Sequence, residues 1–167
     1  MKRFIPIILL ALAAVAGFGQ DKSKRPSPPA SAEGVIDGVK VKIDYSAPSA
    51  KGRKMLGDKE PFGTVWRTGA NETTSIEFSG PVKIEGKDLA AGKYALFTIP
   101  GENEWVIIFN KTIAWGPYSY KKEEDVLRVT VKPGKTDSFV ETFLIAIDKD
   151  QVTMKWENTV VTFKVKG

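Results

Sequence analysis

The chain has no cysteine and no histidine among its 167 residues. Without cysteine there are no disulfides, so even an oxidising compartment leaves stability to the hydrophobic core. A lipoprotein tethered through an N-terminal cysteine is excluded as well. The two absences together remove Ser-His-Asp and Cys-His nucleophile systems and ordinary zinc, copper and haem ligation. No G-x-x-x-x-G-K-[ST] or G-x-G-x-x-G run is present to cradle phosphates, and no cofactor is expected. Charge of one sign is scarce too. The formal net charge is +5, and it falls once Lys2 and Arg3 leave with an export signal. Over the rest of the chain, charges alternate in sign and never form the basic stripe that nucleic-acid binding requires, so no nucleic-acid partner is expected. What remains for chemistry is carboxylates, Lys, Tyr, Ser and Thr. A hard cation would still find oxygen ligands, but the one superficial candidate, Asp148-Lys149-Asp150, is better explained as a hairpin turn.

The first 19 residues have the layout of a cleaved export signal. Lys2 and Arg3 precede an apolar run from Ile5 to Ala16, and small residues follow at Gly17 and Gly19. This pattern predicts cleavage before Gln20, with cleavage after Ala16 as the alternative. The run is shorter than the ~20 residues a spanning helix needs. The mature form is therefore expected to be exported, periplasmic or secreted, without a transmembrane segment. Residues 20–33 (QDKSKRPSPPASAE) hold three prolines, three serines and no large apolar residue. They read as a disordered leader, and residues 34–167 as one domain large enough for a real core.

Within that domain the apolar period is two. Val39, Val41, Ile43 and Tyr45 alternate with Lys40, Lys42 and Asp44. Ile76 and Phe78 flank Glu77, and Val82 and Ile84 flank Lys83. Tyr94–Ile99 and Trp105–Phe109 are apolar on both faces and are joined by a Pro100–Glu104 loop, which predicts a central hairpin covered on both sides. Further strands follow over Val126–Val131, Phe139–Ile147 and Val152–Trp156. A tight turn at Glu157-Asn158 then leads into Val161–Val165. No stretch of ten or more residues carries a 3.6 period, so no long helix is expected. The fold class is all-β: a single antiparallel β-sandwich or jelly-roll-like barrel of about nine or ten strands. Two segments break the pattern, Ala47–Gly63 and Thr112–Asp125. Connections this long are more often functional or mobile than idle.

Thr64–Thr74 (TVWRTGANETT) is the densest concentration of functional side chains. Trp66 offers either a stacking face or a core anchor. Arg67 either grips an anion in bidentate fashion or pairs with Glu72 to fix the loop. Asn71 either meets a ligand hydroxyl or occupies a left-handed turn position, and Glu72 is a candidate general acid or base without an evident partner. Arg53 adds positive charge from the Ala47–Gly63 segment. Trp115, Tyr118 and Tyr120 put three rings into six residues of the other loop, either as a stacking platform or as packing over the end of the fold.

Several of these segments, in order, are Lys51-Gly52-Arg53, Pro61-Phe62-Gly63-Thr64-Val65-Trp66-Arg67-Thr68-Gly69-Ala70-Asn71-Glu72 and Ala91–Pro100. They continue with Ile108-Phe109-Asn110-Lys111, Trp115-Gly116, Asp125–Val129 and Trp156-Glu157. Together they resemble the bacterial domain-of-unknown-function 2911 family over essentially the whole domain. The resemblance implies an exported or envelope-associated β-domain with no established activity. It brings no catalytic residues with it.

The function expected from the residues is a non-catalytic module for an unidentified small polar, anionic or sugar-like ligand. Its site would combine Arg53, Trp66, Arg67, Asn71, Glu72, Trp115, Tyr118 and Tyr120 at one end of the sandwich. No metal site is expected. A structural or interaction domain whose motif residues only lock the fold is the main alternative. A carboxylate-based glycoside hydrolase using Glu72 is another, and it would need a second carboxyl roughly 5–9.5 Å away.

Overall fold

The computed structural model describes residues 21–114 and 120–167. Its strands are β1 (Pro29–Ile36), β2 (Val39–Ser46), β3 (Ser75–Phe78), β4 (Val82–Ile84), β5 (Lys87–Leu89), β6 (Gly92–Ile99), β7 (Trp105–Asn110), β8 (Asp125–Val131), β9 (Gly134–Ile147) and β10 (Gln151–Lys166). They form two open antiparallel sheets, ordered β1-β2-β3-β6-β7-β8 and β5-β4-β10-β9, so the fold is a sandwich and not a closed barrel. Among the described residues the only helices are single 3₁₀ turns at Lys22–Lys24 and Lys122–Glu124. No helix there is long and apolar enough to cross a membrane.

Local chemistry sets the hairpins. Asp37-Gly38 (φ 47° and 85°) joins β1 to β2, and Glu85-Gly86 (φ 48° and 82°) joins β4 to β5. Two successive left-handed residues match the strand twist of a two-residue hairpin, and glycine takes the second position without a Cβ penalty.

β10 is continuous in hydrogen bonding but reverses direction. Sixteen residues at ~3.3 Å each would hold its ends about 50 Å apart. Instead Val165 N–H donates to Asp150 C=O at 2.9 Å, and the Thr153 and Thr162 hydroxyls meet at 3.3 Å. The reversal falls at Glu157-Asn158, where Glu157 has φ 53°. The tight turn expected there is present.

The inward faces alternate as the period-two pattern requires. Val41, Ile43, Ile76, Phe78, Leu96, Ile107 and Phe109 from the larger sheet meet Phe143, Ile145, Met154, Trp156, Val161, Phe163 and Val165 from the smaller one. β6 and β7 are covered on both sides. A second cluster of Ala95, Phe97 and Ile108 lies on their outer face, under Val65, Ile99, Val106 and Tyr120.

One expectation is overturned. The leader was expected to be disordered over 20–33, with the domain starting at Gly34, yet β1 begins at Pro29 and pairs with β2 from Pro29↔Ser46 to Ile36↔Val39. Ala30 and Ala32 pack against the core edge, and Lys42 holds Glu33 at 3.3 Å. The ladder to β2 supplies the stabilisation that small side chains cannot, which is why composition alone read as disorder.

Candidate functional site

β3 is too short to line β6 along its whole length, and the Thr64–Thr74 segment fills the gap. Trp66 exchanges both backbone hydrogen bonds with Thr98 (2.7 and 2.9 Å), and Thr74 C=O accepts from Leu96 N–H at 2.8 Å. Between these two points the chain makes a short excursion held by its own polar groups. The Thr68 hydroxyl reaches the Thr98 hydroxyl at 3.1 Å, the Thr74 hydroxyl donates to Thr68 C=O at 2.7 Å, and Ala70 N–H donates to Ser46 C=O at 3.1 Å. Gly69, at φ 156°, is required here, because a Cβ would come within 2.9 Å of Ser46 O.

Trp66 is buried in the core and not presented to a ligand. Its ring stacks on Trp156 (centroids 5.5 Å, planes 16° apart) and meets Trp105 and Phe143 edge-on. Its indole N–H donates to Gly69 C=O at 3.0 Å. Alternation along the segment turned the large flat ring inward, where stacking and burial outweigh anything gained at the surface. Asn71 takes the left-handed position (φ 56°), and its carboxamide donates to Ser27 C=O at 2.9 Å.

Glu72 pairs with the leader and not with Arg67. Arg25 Nη1 reaches both its oxygens at 2.9 and 3.1 Å, and Lys22 Nζ lies at 3.3 Å. The Arg25 hydrogen bond, helped by Glu72's own amide and by Lys22, lowers its pKa to about 2. A carboxyl held that low stays ionised and cannot act as a general acid. Arg53 is also spoken for: its guanidinium donates to Ala50 C=O and Ser49 C=O, each at 2.9 Å, and closes its own loop. The expected convergence of all eight residues at one end is therefore corrected. Trp66, Asn71, Glu72 and Arg53 are each engaged by the fold itself. Trp115 and Tyr118 lie outside the described residues.

Arg67 and Tyr120 remain. Trp66 faces the core, so alternation sends Arg67 out on the face that carries Val65, beside Phe97. Tyr120 packs edge-on against Phe97 at 5.1 Å, which places both residues at the border of one apolar patch. Among the described residues Arg67 makes no hydrogen bond or ion pair, and its Nε is sealed from solvent without a partner.

Glu60 is half-buried, and among the described residues its carboxylate makes no hydrogen bond or ion pair either. Burial raises its pKa, and the Arg67 charge opposes that rise. Across the patch, the Tyr120 hydroxyl donates to Asp125 Oδ2 at 2.8 Å and accepts from Arg128 Nη2, while Arg128 Nε donates to Asp125 Oδ2 at 2.6 Å. Burial, then the Asp125 carboxylate, pushes the Tyr120 phenol up. Asn110, fully buried, donates to Lys121 C=O and Asp125 Oδ1 (both 2.8 Å) and accepts from Thr112 N–H, tying down both ends of the loop between β7 and β8. The sequence reading missed Glu60, Asn110, Asp125 and Arg128. Only the Tyr120/Asp125/Arg128 spacing at the start of a strand offered a signal.

The chain belongs to the family described as a protein of unknown function, DUF2911, whose model matches residues 27–165. That span starts at Ser27, ahead of β1, in agreement with a domain that includes the former leader. No curated protein and no solved structure matches the chain.

Proposed function

We propose that the protein is an exported, non-catalytic module that binds a polar, anionic ligand of sugar-like character, such as a uronate or sugar phosphate. Binding would occur at Arg67 on the outer face of the larger sheet. Export rests on the basic, apolar and small-residue order of residues 1–19. The ligand reading is carried by one observation: among the described residues Arg67 makes no hydrogen bond or ion pair, and its Nε is shut off from solvent without a partner. A carboxylate or phosphate would satisfy the terminal nitrogens of such a guanidinium together. The half-buried side chains of Val65 and Tyr120, which cover Phe97, would supply the apolar surface that polar-ligand sites combine with a few fixed charges.

A second reading, a structural or interaction domain, is favoured by the motif residues already consumed by the fold: Trp66 with its N–H satisfied, Thr68, Asn71 and Glu72. Calorimetric titration with glucuronate, glucose 6-phosphate and inorganic phosphate separates the two. Ligand binding predicts saturable heat with wild type and none with Arg67→Met at unchanged folding. No heat with any probe, together with marked unfolding of Arg67→Met, favours the structural reading.

A further inference from the structure

The end of the sandwich where β10 reverses holds a hollow of about 300 Å³ that no residue of the Thr64–Thr74 segment lines. Four stretches build its walls: Leu56 and Phe62 between β2 and β3, Gly101-Glu102 between β6 and β7, Pro133 with the first residues of β9, Gly134 and Lys135, and Asn158-Thr159 at the reversal. Trp105, the first residue of β7, completes it. Dedicated contacts hold these walls in place. The Glu157 carboxylate accepts from Met55 N–H and Leu56 N–H at 2.8 Å each. Gly57 (φ 83°) lets the Phe62 ring lie against the backbone, where a Cβ would come within 2.8 Å of it. Gly101 lets its loop close to a spacing in which a Cβ would stand 2.4 Å from Glu104 O. The hollow is therefore formed before any ligand arrives.

Its chemistry is of one kind. Phe62 stays 38% exposed at the mouth, an aromatic face the core did not absorb. Trp105, buried in the core, forms part of the floor, and Asn158 and Thr159 supply an amide and a hydroxyl. Glu102 and Lys135 both line it with opposite charges, so an anion meets one repulsive neighbour and a cation the other. A wholly apolar guest would leave the polar lining without partners. The volume equals about ten waters at ~30 Å³ each, room for one ring with its substituents.

We propose that this hollow is a preformed site for a neutral pyranose ring, which would lie with its C–H face on Phe62 and its hydroxyls toward Asn158, Thr159, Glu102 and Lys135. The ring would come either from a free sugar or from the end of a polysaccharide, and the two sources call for separate arms of one test.

The test is an amide ¹H–¹⁵N titration of the full mature chain with methyl glucoside, methyl N-acetylglucosaminide and chitotriose, with glycerol as control. Saturable shifts are expected at Gly101, Glu102, Gly134 and Thr159 with at least one sugar and not with glycerol. Phe62→Ala should weaken binding about five- to tenfold, the share of one aromatic contact, whereas Phe62→Tyr should stay within about twofold. Arg67→Met should bind these neutral sugars as wild type does, so the result stands apart from the anion site. Tighter binding of chitotriose than of the monosaccharides would identify a chain end, and equal binding a free sugar; both place the ring in the hollow. Absence of saturable shifts at those amides, or undiminished binding by a folded Phe62→Ala, overturns the proposal.

Discussion

Replacing Arg67 with methionine separates a guanidinium kept for a ligand from one that holds the fold. The Nε–H is sealed without a partner, and a buried unsatisfied donor costs about 1–3 kcal/mol. Methionine keeps an unbranched apolar stem and adapts to irregular space, so the packing change stays below about 1.5 kcal/mol. The lost attraction to Glu60 is smaller still. The two groups are not in ion-pair contact, which limits the term to about 1 kcal/mol or less.

The balance is a net stabilisation of roughly 1 kcal/mol, which raises Tm by about 3–5 °C for a domain of this size. Urea unfolding with an unchanged m-value and calorimetry at pH 7 measure it. A carbon-detected titration of Glu60 adds an internal check, because its raised pKa must rise further once the opposing Arg67 charge is gone. A loss of more than about 2 kcal/mol at constant m would refute the reasoning and make Arg67 a structural residue.

Trp66→Ala should cost about 3–5 kcal/mol and abolish the near-ultraviolet circular dichroism of the Trp66–Trp156 stack; a retained signal would mean the rings are not stacked in solution. Glu157→Ala leaves the Met55 and Leu56 amides without their acceptor, so urea unfolding should show a loss of about 2–4 kcal/mol, and an unchanged midpoint would show that solvent replaces the carboxylate. For Glu72 the folded pKa, about 2, lies below the ordinary 4.5. Its stabilisation is therefore complete above pH 4.5 and disappears as pH falls through 2. Solvent screening at this exposed pair holds the effect under about 1 kcal/mol. Arg25→Ala should flatten the stability profile between pH 2 and 5, and identical wild-type and variant profiles would disprove the pairing.

The β architecture was legible because burial imposes a period of two and the turn residues mark the reversals. Val41, Ile43, Ile76 and Phe78 face inward as their spacing requires, and Glu157-Asn158 turns the chain. Pro29–Glu33 was illegible because alanine and serine carry almost no hydrophobic signal, and the partner strand, not composition, decides their state. The site was harder for a different reason. Trp66 and Glu72 have the same side chains whether they serve a ligand or the fold, and spacing cannot tell which neighbour reaches them first. Arg25, 47 positions away from Glu72, took the carboxylate that one of the two readings of Arg67 gave to that arginine. Glu60 escaped notice because burial, a property of the folded state, is what makes it unusual.

The crowding of polar and aromatic types between Thr64 and Thr74 follows from a defect in the sheet. β3 stops at Ser75, so β6 beyond Ala95 must be met by some other stretch of backbone. A segment that pairs at Trp66, leaves, and returns at Thr74 needs hydroxyls and a carboxamide to replace the missing ladder bonds. It also needs a glycine where Ser46 crowds it and a large ring to fill the core beneath the gap. Thr68, Thr74, Asn71, Gly69 and Trp66 meet those needs one for one. Glu72 ties the excursion to the chain that precedes β1. Every conspicuous side chain of the run is then explained by repair of the sheet except Arg67, whose sealed Nε works against stability. A residue that burdens the fold at the one place where its neighbours all support it is the reason the proposed ligand site is put at Arg67.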